Sequence, residues 1–276
     1  MNLKLGDHTY VVTKPVAEME AFKVYLCKDA DGNLLFLQIA KDNSAENSAI
    51  LEKSAYTLRE LQRYADQIEQ VHSENNSGKT VGYDRFFPQV VQSERAGEDQ
   101  GNRMVNILSI KMDPRDPTGI DSMIPLAKIP ASSQKVDEKT SAWIMGRFLK
   151  LLAFLHHVGI GIDITPENVL LSGPEQYHNI VLFDWSKALF ANMSLLPASW
   201  IGNVRSAAQT TLQLLDAAEG SSPTPEYDAF LTMLARKTFV ELSKHFGDSH
   251  EVHREFYELI GRLWGSNYHP MTIIPK

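Results

Sequence analysis

Three residues able to do chemistry stand close together in GIDITPENVLLSGPEQYHNIVLFDWSKA, residues 161–188: Asp163, Asn168 and Asp184. VLL and IVLF read as short apolar strands around the turn SGPEQYHN, a hairpin whose ends must meet. Asp163 and Asn168 precede its first strand and Asp184 follows its second, so the three side chains are expected at one edge. Two carboxylates and a carboxamide offer hard oxygen ligands, the kind magnesium takes beside phosphate oxygens. One acid would orient a hydroxyl while two oxygen donors hold metal.

The elements that must position them follow from periodicity. HTYVVTKPV, EAFKVYLC and NLLFLQIAK are rich in β-branched and aromatic residues and read as strands. The last two flank KDADG, whose Asp-Gly ending signals a hairpin turn. From Asn43 to about Val71 the pattern turns helical, with Ile50 or Leu51, Leu58, Leu61, Ala65 and Ile68 at steps of three and four. FFPQVVQSE and RMVNILSIKM read as two more strands, and MDPRDPTGID, with two prolines, as a hinge. Beyond it, Ile144, Phe148, Leu151 and Leu155 form the apolar stripe of a helix that Gly159 ends. Helices are also expected over VRSAAQTTLQLLDA, from Tyr227 to about Phe246, and over EVHREFYELIGRLWG. Strands with one helix, a hinge, then mostly helices make an α+β fold of two unequal lobes, 1–112 and 113–276.

Composition narrows the function. The 276 residues suffice for a large domain or two lobes, and a net charge of −7 disfavours nucleic-acid and anionic-membrane partners. Cys27 is the only cysteine, so no internal disulfide and no cysteine metal cage can form. The start, MNLKLGDHTYVV, lacks the apolar core of a signal peptide, and the expected location is the cytoplasm. Neighbouring positions on a helix point about 100° apart, so His156 and His157 do not share a metal; one partly buried and one solvated histidine are expected.

ITPENVLL resembles the catalytic loop of protein kinases, and FDWSKA is similar to the DFG segment that follows it. The resemblance implies ATP and Mg²⁺ as cofactors and γ-phosphoryl transfer to a hydroxyl, of a protein Ser or Thr. It makes Asp163 the residue that orients the hydroxyl, and Asn168 and Asp184 the metal ligands. LQIAK is similar to the VAIK strand, which makes Lys41 the phosphate-binding lysine. The long helix would supply its glutamate, Glu52 in preference to Glu60, because Glu52 follows the apolar pair Ile50-Leu51. NVRSAAQTTLQLL resembles the helix that anchors the kinase C-lobe, with Asn203 in place of an acid.

The sequence also departs from that pattern. No glycine lies between Val11 and Leu26, where kinases place a glycine-rich phosphate loop, and Pro15 removes one amide donor. Gly161 and Ile162 stand for the histidine and arginine of the HRD motif, Thr165 for the catalytic-loop lysine, and Trp185-Ser186 for Phe-Gly. Only 18 residues separate Asp184 from Asn203, and no Ala-Pro-Glu closes that segment. Two other readings therefore stand beside phosphotransfer to a protein substrate. One is a pseudokinase that binds a regulatory protein partner. The other is a small-molecule kinase of the aminoglycoside or choline type.

Overall fold

The structure is a computed structural model that describes residues 2–75, 81–112, 119–171, 179–190, 196–216, 224–265 and 269–276, with the side chains of 196–199 left aside. In chain order the elements begin with β1 (Asn2–Leu5), β2 (His8–Glu18), β3 (Phe22–Lys28), β4 (Leu34–Ala40), α1 (Ala45–Asn75), β5 (Gln89–Arg95), β6 (Met104–Ser109) and β7 (Ile124–Pro125). There follow α2 (Lys128–Ala131), β8 (Gln134–Val136), α3 (Glu138–His157), β9 (Ile160–Gly161), β10 (Val169–Leu171), β11 (Ile180–Leu182) and β12 (Leu189–Phe190). The chain ends with α4 (Leu196–Leu215), α5 (Pro225–Arg236), α6 (Phe239–His245), α7 (Ser249–Trp264) and β13 (Ile273–Pro275).

The chain divides into two compact units. One comprises Met1–Pro125, Leu170–Gly173 and Val181–Lys187, the other the remainder. The first unit thus runs past residue 112, the sequence boundary, to Pro125, and takes in the segment that carries Asp184. Most of MDPRDPTGID and of the turn SGPEQYHN lies outside the described residues.

In the first unit six antiparallel strands lie in the order β1-β2-β3-β4-β6-β5. The hairpin expected at KDADG forms, with Gly32 at φ +83° and the Asp29 carboxylate accepting from the backbone N–H of Asp31 and Asn33. Pro15 is accommodated in β2 beside a break in register between Pro15 and Ala17, where a ladder donor is dispensable. β1 is an addition to the sequence reading. NLKL is too short to stand out, but it alternates exposed and buried, and Gly6 at φ +53° turns it back so that Leu3 faces Tyr10. Its Leu3 and Leu5 close one face of the sheet with Tyr10, Cys27, Leu35, Leu37, Ile39, Val105 and Ile107. α1 covers the other face with Leu51, Ala55, Leu58, Leu61 and Ala65.

The second unit is helical. Asp137 caps α3 by accepting from the Thr140 N–H at 2.8 Å, and Gly159, at φ +75°, follows its end. Ile144, Phe148, Leu151 and Leu155 are all buried, and α3 packs on α4 and α7. The helix expected from Tyr227 to Phe246 is two. Thr238 accepts from the Glu241 N–H and the Glu241 carboxylate accepts from the Thr238 N–H, a capping box that starts α6 afresh after α5. The C-terminal β13 pairs with β8, a strand too short to be legible from periodicity. No helix among the described residues is long and apolar enough to cross a membrane.

Candidate active site

Asp163 and Asn168 meet in the second unit. Asn168 caps the short turn Pro166–Asn168: its Oδ1 accepts the Thr165 N–H at 3.0 Å and its Nδ2 donates to the Asp163 carbonyl at 2.9 Å. Proline at the first turn position fixes φ where a donor is not needed. α4 holds the loop from beneath. Ser206 Oγ accepts the Ile164 N–H, Thr210 Oγ1 donates to the Ile164 carbonyl, and Asn203 Nδ2 donates to Asp163 Oδ1 at 3.0 Å. Asn203 thus fixes the Asp163 carboxylate, which is otherwise exposed. Ser206 and Thr210 escaped the sequence reading, although both are polar residues on the loop-facing side of an apolar helix.

Behind Asn203 lies His156, its Nε2 3.2 Å from Asn203 Oδ1. Because Nδ2 of that carboxamide donates to Asp163, Oδ1 must accept, so Nε2 carries the imidazole proton and the buried Nδ1 has no partner among the described residues. Burial pushes His156 down to about 4, against the partly opposing Asn203 hydrogen bond. His253 is pushed to about 4 as well, by burial and then by Lys150 and His250. Both rings are neutral when folded, whereas unfolded histidine titrates near 6.5. Between these values the unfolded chain binds more protons, so stability rises with pH there. Stability is expected to be complete above about pH 6.5 and to fall progressively toward pH 4, with His156 contributing up to about 3 kcal/mol and the better-screened His253 less. Urea unfolding at several pH values checks this, and a His156→Leu variant that keeps the same slope contradicts the assignment to His156.

Asp184 belongs to the first unit and is the one carboxylate among the buried polar residues described, 6% exposed. Its Oδ1 accepts the Ser186 N–H at 3.0 Å. The next residue, Trp185, is fully buried, its indole N–H donating to the Leu182 carbonyl at 2.7 Å and its ring edge-on to Phe87 at 6.1 Å. The segment after β11 is therefore pinned by a large side chain. Asp184 lines a cleft of about 280 Å³ with Met19, Glu20 and Phe22 from the β2–β3 turn, Glu46 and Ile50 from α1, and Lys187.

Lys41 is not in that cleft lining. It stands just past β4, and its ammonium lies 3.1 Å from Glu18 Oε1. That contact, with help from Lys23, holds the exposed Glu18 carboxyl below the usual range. The expected pair of Lys41 with Glu52 is corrected as well. Glu52 is exposed on α1 and lies 3.7 Å from Arg95, and Glu60 is bound to Arg63. The reason is the strand's period of two. The β4 side chain that reaches the Asp184 segment, and α1 only through Asn106, is Gln38, three residues before Lys41, an odd step that sends the lysine to the opposite side.

Gln38 is fully buried. Its Nε2 donates to the Phe183 carbonyl at 3.1 Å, and its Oε1 accepts from Asn106 Nδ2 at 3.2 Å. Asn106, its direct cross-strand partner on β6, also donates to the Leu51 carbonyl of α1 and accepts from Ser93 Oγ of β5. The buried residues of α1 are Ser48, Leu51, Ser54, Ala55, Thr57, Leu58, Leu61 and Ala65, with no carboxylate among them. Where a lysine–glutamate pair was expected, a ladder of neutral amides and hydroxyls joins sheet, helix and Asp184 segment.

No protein-family model matches the sequence, and no curated protein does. Among solved structures, the chain is similar to the BubR1 kinase domain, with a TM-score of 0.63 at 12% identity over 95% of this chain and 83% of that one. This is a protein-kinase fold. A second kinase domain, a mutant PknI of Mycobacterium tuberculosis, is similar at a TM-score of 0.46 and 14% identity, over 90% of this chain and 94% of that one.

The kinase fold implies ATP with Mg²⁺, and the residues present can be tested against that pair. Asp184 in the first unit and Asn168 in the second each keep oxygen lone pairs beyond those used on Ser186 and Thr165, and each taken by itself is a hard-cation donor. The polyphosphate does not fit. The β4 side chain that reaches the segment just before Asp184 is a neutral amide bound to the Phe183 carbonyl, Lys41 is engaged by Glu18, and the β2–β3 turn is Met19-Glu20-Ala21, closed by the Met19 N–H on the Phe22 carbonyl. That turn contributes a carboxylate, not glycine amides, to the cleft.

Proposed function

We propose that this chain is a catalytically silent protein-kinase fold, a binding module that engages a regulatory protein partner. The observation that carries the reading is the buried Gln38–Asn106 pair, with no acid on the buried face of α1. Phosphoryl transfer depends on charge placed against the phosphates, because the protein supplies little covalent chemistry. A neutral amide there removes the anchor, and a carboxylate in the opposing turn repels the ligand.

Phosphotransfer through Asp163 is the second reading, favoured by the Asp163–Asn168 loop, whose hydrogen bonds hold the acid exposed and oriented. Incubation with radiolabelled MgATP separates the two. The expected result is transfer to the chain itself, to generic protein substrates and to small alcohols at the background level, identical in wild type and Asp163→Asn. Transfer that the substitution abolishes contradicts the silent reading.

A further inference from the structure

We infer that the seam between α3 and α7, on the side of Trp143, Arg147 and Tyr257, docks an acidic, extended segment of a partner polypeptide. The inference rests on the reading of the chain as a module for a protein partner, and it names the surface used and the chemistry of that partner.

The chain as a whole is acidic, with a net charge of −7, but the outer face of α3 is not. Lys139, Trp143, Arg147 and Lys150 follow one another at steps of four, four and three, so they share one side of the helix. Lys139 is exposed and the other three are half-buried. α7 packs beside them. The Tyr257 hydroxyl lies 3.5 Å from where a Cβ of Gly146 would stand, its side chain is half exposed, and His250 meets the His157 ring edge-on at 6.4 Å. The acids of both helices point elsewhere. Glu138, the one acid of α3, accepts from the Thr224 N–H and hydroxyl. On α7, Glu251 accepts the Gly247 N–H, Glu255 lies 3.5 Å from His245, and Glu258 lines the groove toward α5. Charge is sorted by flank, and the seam is cationic. His253 registers that field: after burial, Lys150 and His250 both oppose its protonation.

Composition and spacing select the occupant. Trp, Tyr and Arg are the residue types that dominate binding energy at protein interfaces. The Arg147 guanidinium lies over the Trp143 ring at 4.9 Å, a stacking that holds its planar fork ready for a carboxylate. From Lys139 to Lys150 the helix rises about 16 Å, the span of about five residues of extended peptide. Duplex DNA places one charge at about every 1.7 Å and would meet too few cations over that length. The net charge of −7 also repels a nucleic acid and an anionic membrane, whose charged surfaces extend past the seam. A short acidic peptide is matched in both length and charge.

The test is a fluorescence-anisotropy titration of fluorescein-labelled hexaglutamate with the 276-residue chain, in about 50 mM salt where screening is still weak. Saturable binding is expected, and labelled hexaserine should give none. Arg147→Glu and Lys139→Glu should each weaken the affinity by roughly 3- to 10-fold, because reversal removes one ion pair and adds a repulsion of similar size. Lys139 is exposed, so its variant keeps the fold even if the one at 147 disturbs the Trp143 stack. Arg254→Glu, on the flank of α7 that faces the α5 groove, should leave the affinity within about twofold, as expected for a screened, distant charge. The inference is overturned if hexaglutamate does not bind, or if the variants at 139 and 147 bind it unchanged. It is also overturned if a thymidine hexanucleotide or phosphatidylserine vesicles bind more tightly. The parent reading is tested on the same preparation with radiolabelled MgATP: transfer that Asp163→Asn abolishes overturns the silent reading, whereas peptide that does not bind, without such transfer, overturns only the docking surface.

Discussion

Trp185→Ala is expected to cost about 3–5 kcal/mol of unfolding free energy, the range for deleting a large buried aromatic. Trp185 is among the largest fully buried side chains of the chain. Its removal opens a cavity against Phe87, and the edge-on ring contact and the indole hydrogen bond to Leu182 go with it. Since whole domains are stable by about 5–15 kcal/mol, this is a large fraction. Urea unfolding checks it, with Trp185→Phe as the milder comparison that refills much of the space. A loss below about 1 kcal/mol contradicts the view that this residue pins the Asp184 segment.

Gln38→Lys is expected to be at least as damaging, because it places a lysine on the buried side of β4. The side chain at 38 is fully buried, and its partners are the Phe183 carbonyl and Asn106. An ammonium there finds no carboxylate on the buried face of α1, and an unpaired buried ion costs several kcal/mol. It also leaves Asn106 Nδ2 without its acceptor on Gln38, since an ammonium only donates. Burial would depress the new lysine below its unfolded value near 10.4. Over that interval the unfolded chain binds the extra proton, so the stability deficit should shrink as pH rises toward about 10. Chemical unfolding at pH 7 and pH 9.5 measures this. A variant as stable as wild type at pH 7, or one that acquires MgATP binding, contradicts the account of a neutral ladder.

The architecture was legible because its signals are long. The apolar stripes of α1 and α3, the Asp-Gly hairpin and the apolar runs of β2 to β6 each extend over many residues, and the observed elements follow them within a few positions. β1, β7, β8, β9, β12 and β13 were not legible, because two to four residues carry no readable period and take their conformation from a neighbouring strand or loop. The loop around Asp163 could be read because Pro-Glu-Asn is a local motif whose hydrogen bonds close within five residues. Lys41 was misplaced for the opposite reason: which side of a strand end a residue faces depends on register, and IAK alone does not state it. The signal that would have found Gln38 lay in the same segments. LLFLQIA and MVNILS each hold a single amide in an apolar run, and two such strands side by side bring the amides together. A lone polar residue in a buried strand needs a partner, and its partner is often another such residue.

Calorimetric titration of the 276-residue chain with MgATP tests the central claim most directly. The account expects no saturable heat at millimolar nucleotide and no rise in unfolding temperature, because a ligand that does not bind the native state cannot stabilise it. A one-to-one isotherm in the micromolar range, weakened by Asp184→Asn, would contradict it.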